Sequence, residues 1–325
     1  MSERTQTENA IVHHFKSFID YAETDEISEL MVNPEGNLYI EKDGTLIDLE
    51  KTIPQEKIYS FVRLLAGYRE IIIDKENPSV PMRLPDCIGG GRVQAVIPPV
   101  VPGPMFSIRF PAKKKMTTDD LIKRGTFSRV RYEGEIIRHD EVLGIVEKAV
   151  TDRKTILFAG ATSSGKTTIL NAFYDKYLVD ERIFVIEDVP EIHLGNNKNT
   201  VYMLTQARYS TRDAVFDCMR LRPDRLIVGE IRDGATAIEL CKCFLTGHPG
   251  GTSSIHADSA KGALFRLRSL MQEVVQIPDM DLIYNAIDYV FFIRRELMGN
   301  KYHRALDEII DVKKEKQFLS ERRTA

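Results

Sequence analysis

The amino-acid sequence predicts an α/β fold class: a mostly parallel sheet with helices on both faces, preceded by a smaller α+β unit. Three observations carry this expectation. From residue 155 onward, short apolar runs alternate with helix-length stretches, and strands joined by helical crossovers lie parallel. Before residue 111, strand-like runs are separated by the turn sequences "PEG" and "KDG", the pattern of an antiparallel meander. The 325 residues also suit one large or two ordinary domains.

Taken in order, residues 8–22 place Ile11, Phe15, Phe18, Ile19 and Ala22 at helical spacing and predict a short helix. "ELMVN", "NLYIEK" and "TLIDLE" read as three strands. A helix near 55–66 follows, with Ile58, Phe61, Val62 and Leu65 on one face. "GGGRVQAVIPP" and "MFSIRFP" read as two more strands around a Pro-rich loop, which closes a first domain at 1–111. "AKKKMTTDD" marks a shift in composition and opens a linker over 112–139, its lysine run read as solvated. Within the linker, "TTDDLIKRG" has the form of a short capped helix. The second domain, 140–325, begins with a helix over 140–152. It continues with the strands "TILFAG", "RIFVIED", "RLIVGE", "TSSIHA" and "YVFFIR", and with helices over 166–178, 211–221, 234–246 and 259–273. Ligands of such sheets bind at the carboxyl ends of the strands, where Gly160, Glu187, Glu230 and His256 fall.

Composition narrows the function classes. The formal net charge is −3, which gives no support to sequence-specific nucleic-acid binding. The four cysteines form no C-x-x-C pair, which argues against a zinc ribbon. Cys241 and Cys243 are read as buried thiols of a reducing compartment. The sequence has no apolar run of 18 residues and no signal-peptide core at its start, so a cytoplasmic location is expected.

"GATSSGKTT" satisfies G-x-x-x-x-G-K-[ST] between a strand and a helix. Its residues are Gly160, Ala161, Thr162, Ser163, Ser164, Gly165, Lys166, Thr167 and Thr168. The glycines let backbone N–H groups curl around phosphates at a helix N-terminus. Lys166 is expected to reach the β and γ phosphates, and Thr167 to offer its hydroxyl to Mg²⁺. Two further strands deliver acids to the same sheet edge. "RIFVIEDVPEI" supplies Glu187, Asp188 and Glu191, and "LIVGEIRD" supplies Glu230 and Asp233. Phosphoryl transfer to water needs one carboxylate near the metal and another near the attacking water. Glu230 is assigned to the metal shell, with Gly229 leaving room for it, and Glu187 to the water. The strand bearing Glu230 is expected beside the phosphate-loop strand. Asp188 and Glu191 read as turn residues, and Asp233 as the cap of the helix that starts at Gly234.

"GATSSGKTT", "IEDVPEI", "RLRPDRLIVGEIRD" and "TGHPGGTSSIHA" stand in this order. Together they resemble the secretion ATPase superfamily, hexameric motors of secretion, conjugation and pilus systems. Within it, the chain most resembles the type IV secretion and conjugal-transfer ATPases. The resemblance covers 155–270 closely, and "GGGRVQAVIPP" and "FSIRFP" extend it into the first domain. It implies a RecA-like P-loop ATPase domain, ATP and Mg²⁺ as ligands, a homohexamer, and partners in an inner-membrane secretion or conjugation machine. It further implies that Glu187, Glu230 and Lys166 are catalytic, that His248 and His256 bracket a His box, and that Arg109 and Arg92 complete the nucleotide site. Arg220, Arg222 and Arg225 are expected at a subunit contact or on local acids. Two features depart from the pattern. Ser163-Ser164 stands where relatives often have Gly-Ser, and the four-cysteine zinc module of the pilus-extension and type II secretion branch is missing. A pilus-retraction or type II secretion motor, or a nucleotide-switched scaffold with little hydrolysis, stays open as an alternative.

Overall fold

The computed structural model describes residues 3–20, 27–42, 45–111, 115–178, 180–205, 209–298 and 301–317. The chain divides into two compact units, Met1–Lys114 and Lys115–Ala325.

The first unit contains helices α1 (Glu3–Phe15) and α2 (Gln55–Tyr68). Its strands are β1 (Ile27–Val32), β2 (Asn37–Lys42), β3 (Thr45–Thr52), β4 (Ser79–Arg83), β5 (Arg92–Val96) and β6 (Met105–Arg109). These form one sheet in the order β3-β2-β1-β6-β5-β4, antiparallel throughout. The expected helix over 8–22 ends at Phe15, and its last two residues lie outside the described ones. Phe18 and Ile19 nevertheless enter the core from the turn that follows. There Phe18, Phe61 and Phe106 meet with ring centroids 5.0–5.1 Å apart, a spacing at which edge and face contacts add to area burial. Strand β4 was not foreseen, because Pro81 interrupts it. Its place at the sheet edge explains how the proline is tolerated.

The second unit opens with α3 (Thr118–Lys123), where Thr117 and Asp120 form a capping box. The hairpin β7 (Val130–Tyr132) and β8 (Glu135–Ile137) and helix α4 (His139–Thr151) follow. Next come β9 (Ile156–Gly160), α5 (Lys166–Tyr177), β10 (Ile183–Glu187), β11 (Thr200–Leu204) and α6 (Thr211–Cys218). Then come β12 (Arg225–Val228), α7 (Gly234–Leu245), β13 (Thr252–Ile255) and α8 (Ala260–Gln272). The series closes with α9 (Met280–Ala286), β14 (Tyr289–Met298) and β15 (Lys301–Asp311). The sheet runs β11-β10-β12-β13-β9-β14-β15-β7-β8. Its first six strands are mutually parallel. The segment expected as a linker is therefore not a bare connection. From Lys115 on it belongs to the second unit, and β7 and β8 extend the sheet beyond β15.

Side chains alternate between two cores, one per face. Leu157 and Ala159 join the cluster under α6, α7, α8 and α9, while Ile156 and Phe158 join the one under α4 and α5. Cys241 and Cys243 are buried in the first of these. Among the described residues, no helix is long and apolar enough to cross a membrane.

One expectation about topology is corrected. Strand β12 does not lie beside β9, because β13 pairs with both and separates them. Arg225, at the start of β12, is wholly buried. Its guanidinium grips Glu181 through two bonds of 2.8 Å and donates to the carbonyls of Gly250 (2.9 Å) and Val150 (3.0 Å). A Cβ on Gly250 would lie 2.6 Å from that guanidinium, so this glycine of "TGHPGG" serves packing. Removing one member of a buried pair leaves the other charge uncompensated. Glu181→Ala is therefore expected to cost about 3–5 kcal/mol in chemical unfolding; a loss below about 1 kcal/mol, the size of a surface pair, would contradict this reading.

Candidate functional site

The phosphate loop leaves β9 at Gly160. A Cβ there would meet the Ile293 carbonyl at 2.4 Å and Ser164 Oγ at 2.6 Å, so the close approach of β14 requires glycine. Ala161 and Thr162 form the exposed crest. Ser163 is left-handed (φ 57°), a conformation that costs a non-glycine residue roughly 1 kcal/mol. Arg304 of β15 holds its carbonyl with an Nε bond of 2.8 Å. Gly165, also left-handed (φ 95°), precedes α5 and supplies no side-chain cap. Helices α6, α7 and α8, by contrast, are capped by Ser210, Asp233 and Ser259. The Asp233 cap was foreseen.

Lys166 is buried and its ammonium donates to the carbonyls of Gly160 (3.0 Å) and Ala161 (3.1 Å). It also lies 3.2 Å from His256 Nδ1. The other ring nitrogen of His256, Nε2, is 2.6 Å from Glu230 Oε1. With the ring proton on Nε2, the histidine donates to Glu230 and accepts from Lys166, so both contacts are satisfied. The second oxygen of Glu230 accepts from Arg232 Nε at 2.6 Å, and Arg232 Nη1 pairs with Asp188. A continuous series of contacts thus runs from the phosphate loop on β9, through His256 after β13, to Glu230 after β12 and Asp188 after β10.

Glu187 and Glu191 are tied together through one loop. Glu187, the last residue of β10, is buried and accepts N–H bonds from Glu191 (3.1 Å) and Ile192 (3.1 and 3.2 Å). Burial raises its carboxyl to about 8, against the opposing pull of those two N–H groups. A Cβ on Gly229 would lie 3.0 Å from Glu187 Cγ, so the missing side chain of Gly229 makes room for Glu187, where the sequence reading gave that room to Glu230. Glu191, read as a turn residue, accepts from the Thr167 hydroxyl at 3.2 Å. Asn171 of α5 fixes this loop by donating to the Glu191 carbonyl (2.8 Å) and accepting from His193 N–H (3.1 Å). Thr168 follows Thr167 in the first turn of α5.

The other candidates fall elsewhere. His248 precedes β13 while His256 follows it, so the two histidines lie at opposite ends of that strand and only His256 meets the phosphate loop. Arg220 stacks on Phe216, 4.6 Å from the ring centroid, and Arg222 takes a left-handed turn conformation. In the first unit, Arg92 and Arg109 are directly opposite one another on β5 and β6, and Arg83 faces Arg92 on β4. Directly opposed residues share a sheet face, so these arginines form one basic row.

The loop suits a phosphate ligand. It offers an uncapped helix N-terminus, a buried lysine and the Ser164 hydroxyl, which is buried without a hydrogen-bond partner. Among the described residues, no group of three or more His, Cys, Asp or Glu is placed to hold a metal ion. Mg²⁺ is commonly held by one or two side chains plus phosphate oxygens, and Thr167, Glu191 and Glu230 are the oxygen-bearing side chains of this site.

A family model described as "Type II/IV secretion system protein" matches residues 7–297. The probable conjugal transfer protein TrbB of Sinorhizobium fredii is 32% identical over 291 residues, covering 89% of this chain and 84% of the relative. The conjugal transfer protein TrbB of Rhizobium radiobacter is 33% identical, with 86% and 83% covered. The type IV secretion system protein VirB11 of Bartonella henselae is 31% identical, with 74% and 76% covered. The solved structure of the pilus retraction motor PilT with bound ADP matches with a TM-score of 0.67 at 16% identity, over 96% of this chain and 89% of that one. The Legionella pneumophila ATPase DotB matches at 0.64 and 15%, over 94% and 83%. These structural likenesses agree with the expected fold, a RecA-like domain behind a smaller α+β domain.

Two measurements check this geometry. Gly229→Ala is expected to destabilise by about 1–3 kcal/mol, and Glu187→Ala should remove most of that added cost in a double-mutant cycle; additive losses would contradict the contact. The Glu187 carboxyl is raised from 4.5 to about 8, so its protonated form stabilises the fold at low pH, and that contribution is lost as pH rises through about 8. Glu187→Gln should therefore gain stability relative to the parent chain between about pH 5 and 9; parallel melting curves would show that this ionisation is not felt.

Proposed function

The chain belongs to the Type II/IV secretion system protein family, within its type IV secretion and conjugal-transfer ATPases, and from that premise we propose that it is a Mg²⁺-dependent ATP hydrolase. It works as a ring-shaped homohexamer at the cytoplasmic face of an inner-membrane machine and powers type IV secretion or conjugative transfer. The observation that carries this reading is the unbroken series of contacts from Lys166 through His256 to Glu230. It joins the phosphate-loop lysine to the acid of the second strand over, and a purely structural sheet edge has no need of such a connection.

The first-turn N–H groups of α5 and the curled backbone of Gly160–Gly165 receive the phosphates. Lys166 exchanges the carbonyls of Gly160 and Ala161 for phosphate oxygens, a substitution of charged acceptors for neutral ones. A divalent cation would supply charge neutralisation for the phosphates, and Thr167, Glu230 and Glu191 are the groups that would hold it. His256 loses Lys166 as a partner in that exchange and keeps Glu230, so it registers whether the lysine is engaged. Glu187 retains its assignment to the water, and it also acts through the loop it fixes, because its carboxylate sets where Glu191 stands. Arg109 and Arg92 are assigned the neutralisation of charge developing on the transferred phosphoryl group.

Two of the relatives are named for conjugal transfer and a third for type IV secretion, which favours those systems over pilus retraction. Steady-state ATPase assays on the assembled chain test the hydrolase reading. Lys166→Ala and Glu230→Gln are each expected to lower kcat by at least about a hundredfold, the usual scale for losing electrostatic stabilisation of a transition state; near-parental turnover in both variants would sink the proposal.

A further inference from the structure

Arg232 has no part in the roles above, yet its guanidinium sits at the centre of the acidic edge. Its Nε donates to Glu230 Oε2 at 2.6 Å and its Nη1 pairs with Asp188. One planar fork therefore joins carboxylates that follow two neighbouring strands, β10 and β12. The backbone on either side of Arg232 is fixed. Ile231 is buried and its N–H donates to the Ser254 carbonyl at 2.9 Å, while Asp233 caps α7. The arginine side chain is different: it is 49% exposed and borders a cavity of about 230 Å³ lined also by Asp188, Ser210, Thr211 and Asp233. The stem is anchored, and the head borders open space that Glu187, Asp188 and Glu230 also line.

Both oxygens of Glu230 are engaged, one by His256 and one by Arg232. A divalent cation arriving at this carboxylate meets a fixed positive charge at hydrogen-bonding distance from the oxygen it needs. Two cations at such separation repel, and Glu230 Oε2 cannot serve the guanidinium and a metal at once, so the two compete for it. Asp188 offers the guanidinium a second carboxylate beside the open cavity. We propose that Arg232 is a positioning residue that competes with the metal for Glu230, holding the carboxylate in place when no cation is bound and retreating onto Asp188 when one binds. This rests on the metal role proposed for Glu230.

The competition has an unusual sign, since removing a group next to a metal site should tighten the metal. Mn²⁺ dissociation constants, measured by electron paramagnetic resonance on the full chain with saturating ADP, provide the readout. Arg232→Met keeps an apolar stem and removes the fork; it is expected to bind Mn²⁺ about three- to tenfold more tightly than the parent chain. Arg232→Lys, which keeps a single charge but cannot bridge both acids, should fall between the two. Glu230→Gln should weaken Mn²⁺, and adding Arg232→Met to it should bring no further tightening. Unchanged or weaker Mn²⁺ binding in Arg232→Met, or equal tightening with and without Glu230, overturns the proposal. If Glu230→Gln alone leaves Mn²⁺ affinity unchanged, the metal role of Glu230 fails, and the inference built on it falls for that separate reason.

Discussion

Two strand spacings, roughly 10 Å, separate the phosphate loop on β9 from the carboxyl end of β12, and the site is built around that gap. A carboxylate on β12 is too far away to touch Lys166 directly. His256, at the end of the intervening β13, closes the distance with one ring nitrogen toward Lys166 and the other toward Glu230. The gap itself is held constant by the sheet, since β9, β12 and β13 are buried on both faces and packed between two cores. A glutamate in place of the shorter aspartate, one position later along the strand, fits the same constraint.

The second constraint is steric. Glu187 at the end of β10 and Gly229 just after β12 stand side by side, and a methyl group on Gly229 would press to 3.0 Å from Glu187 Cγ. What looks in the sequence like a missing acid is the clearance that lets Glu187 lie flat and hold the Glu191–Ile192 backbone. Through that loop Glu191 reaches Thr167. The two acidic stretches are thus one mechanical arrangement, in which the acid nearest the phosphate loop is the one whose sequence context suggests only a turn.

Much of this was legible beforehand. The phosphate loop, the helices after it and five parallel strands announce themselves because each carries a periodic apolar pattern and a punctuation residue at its end. Glu191 was not legible, because "DVPE" reads equally well as a turn and only the register of β10 against α5 turns it toward Thr167. Arg232 lay within a quoted motif, but its partners come from another strand. Arg304 carried no signal at all, since "KYHRALDEIID" alternates weakly and gives no hint that it returns beside the phosphate loop. The separation of β9 from β12 is a matter of strand order, which local pattern does not encode.

The hairpin of β14 and β15 has a consequence for how the protein is made. Strand β14 pairs with β9 up to Gly160, and Arg304 on β15 braces the Ser163 carbonyl. The wall of the phosphate loop is therefore supplied by residues as much as 141 positions further along the chain. During synthesis the loop leaves the ribosome long before its buttress does. A partly made chain thus carries the whole phosphate-loop sequence without the support that shapes it until β14 and β15 are in place.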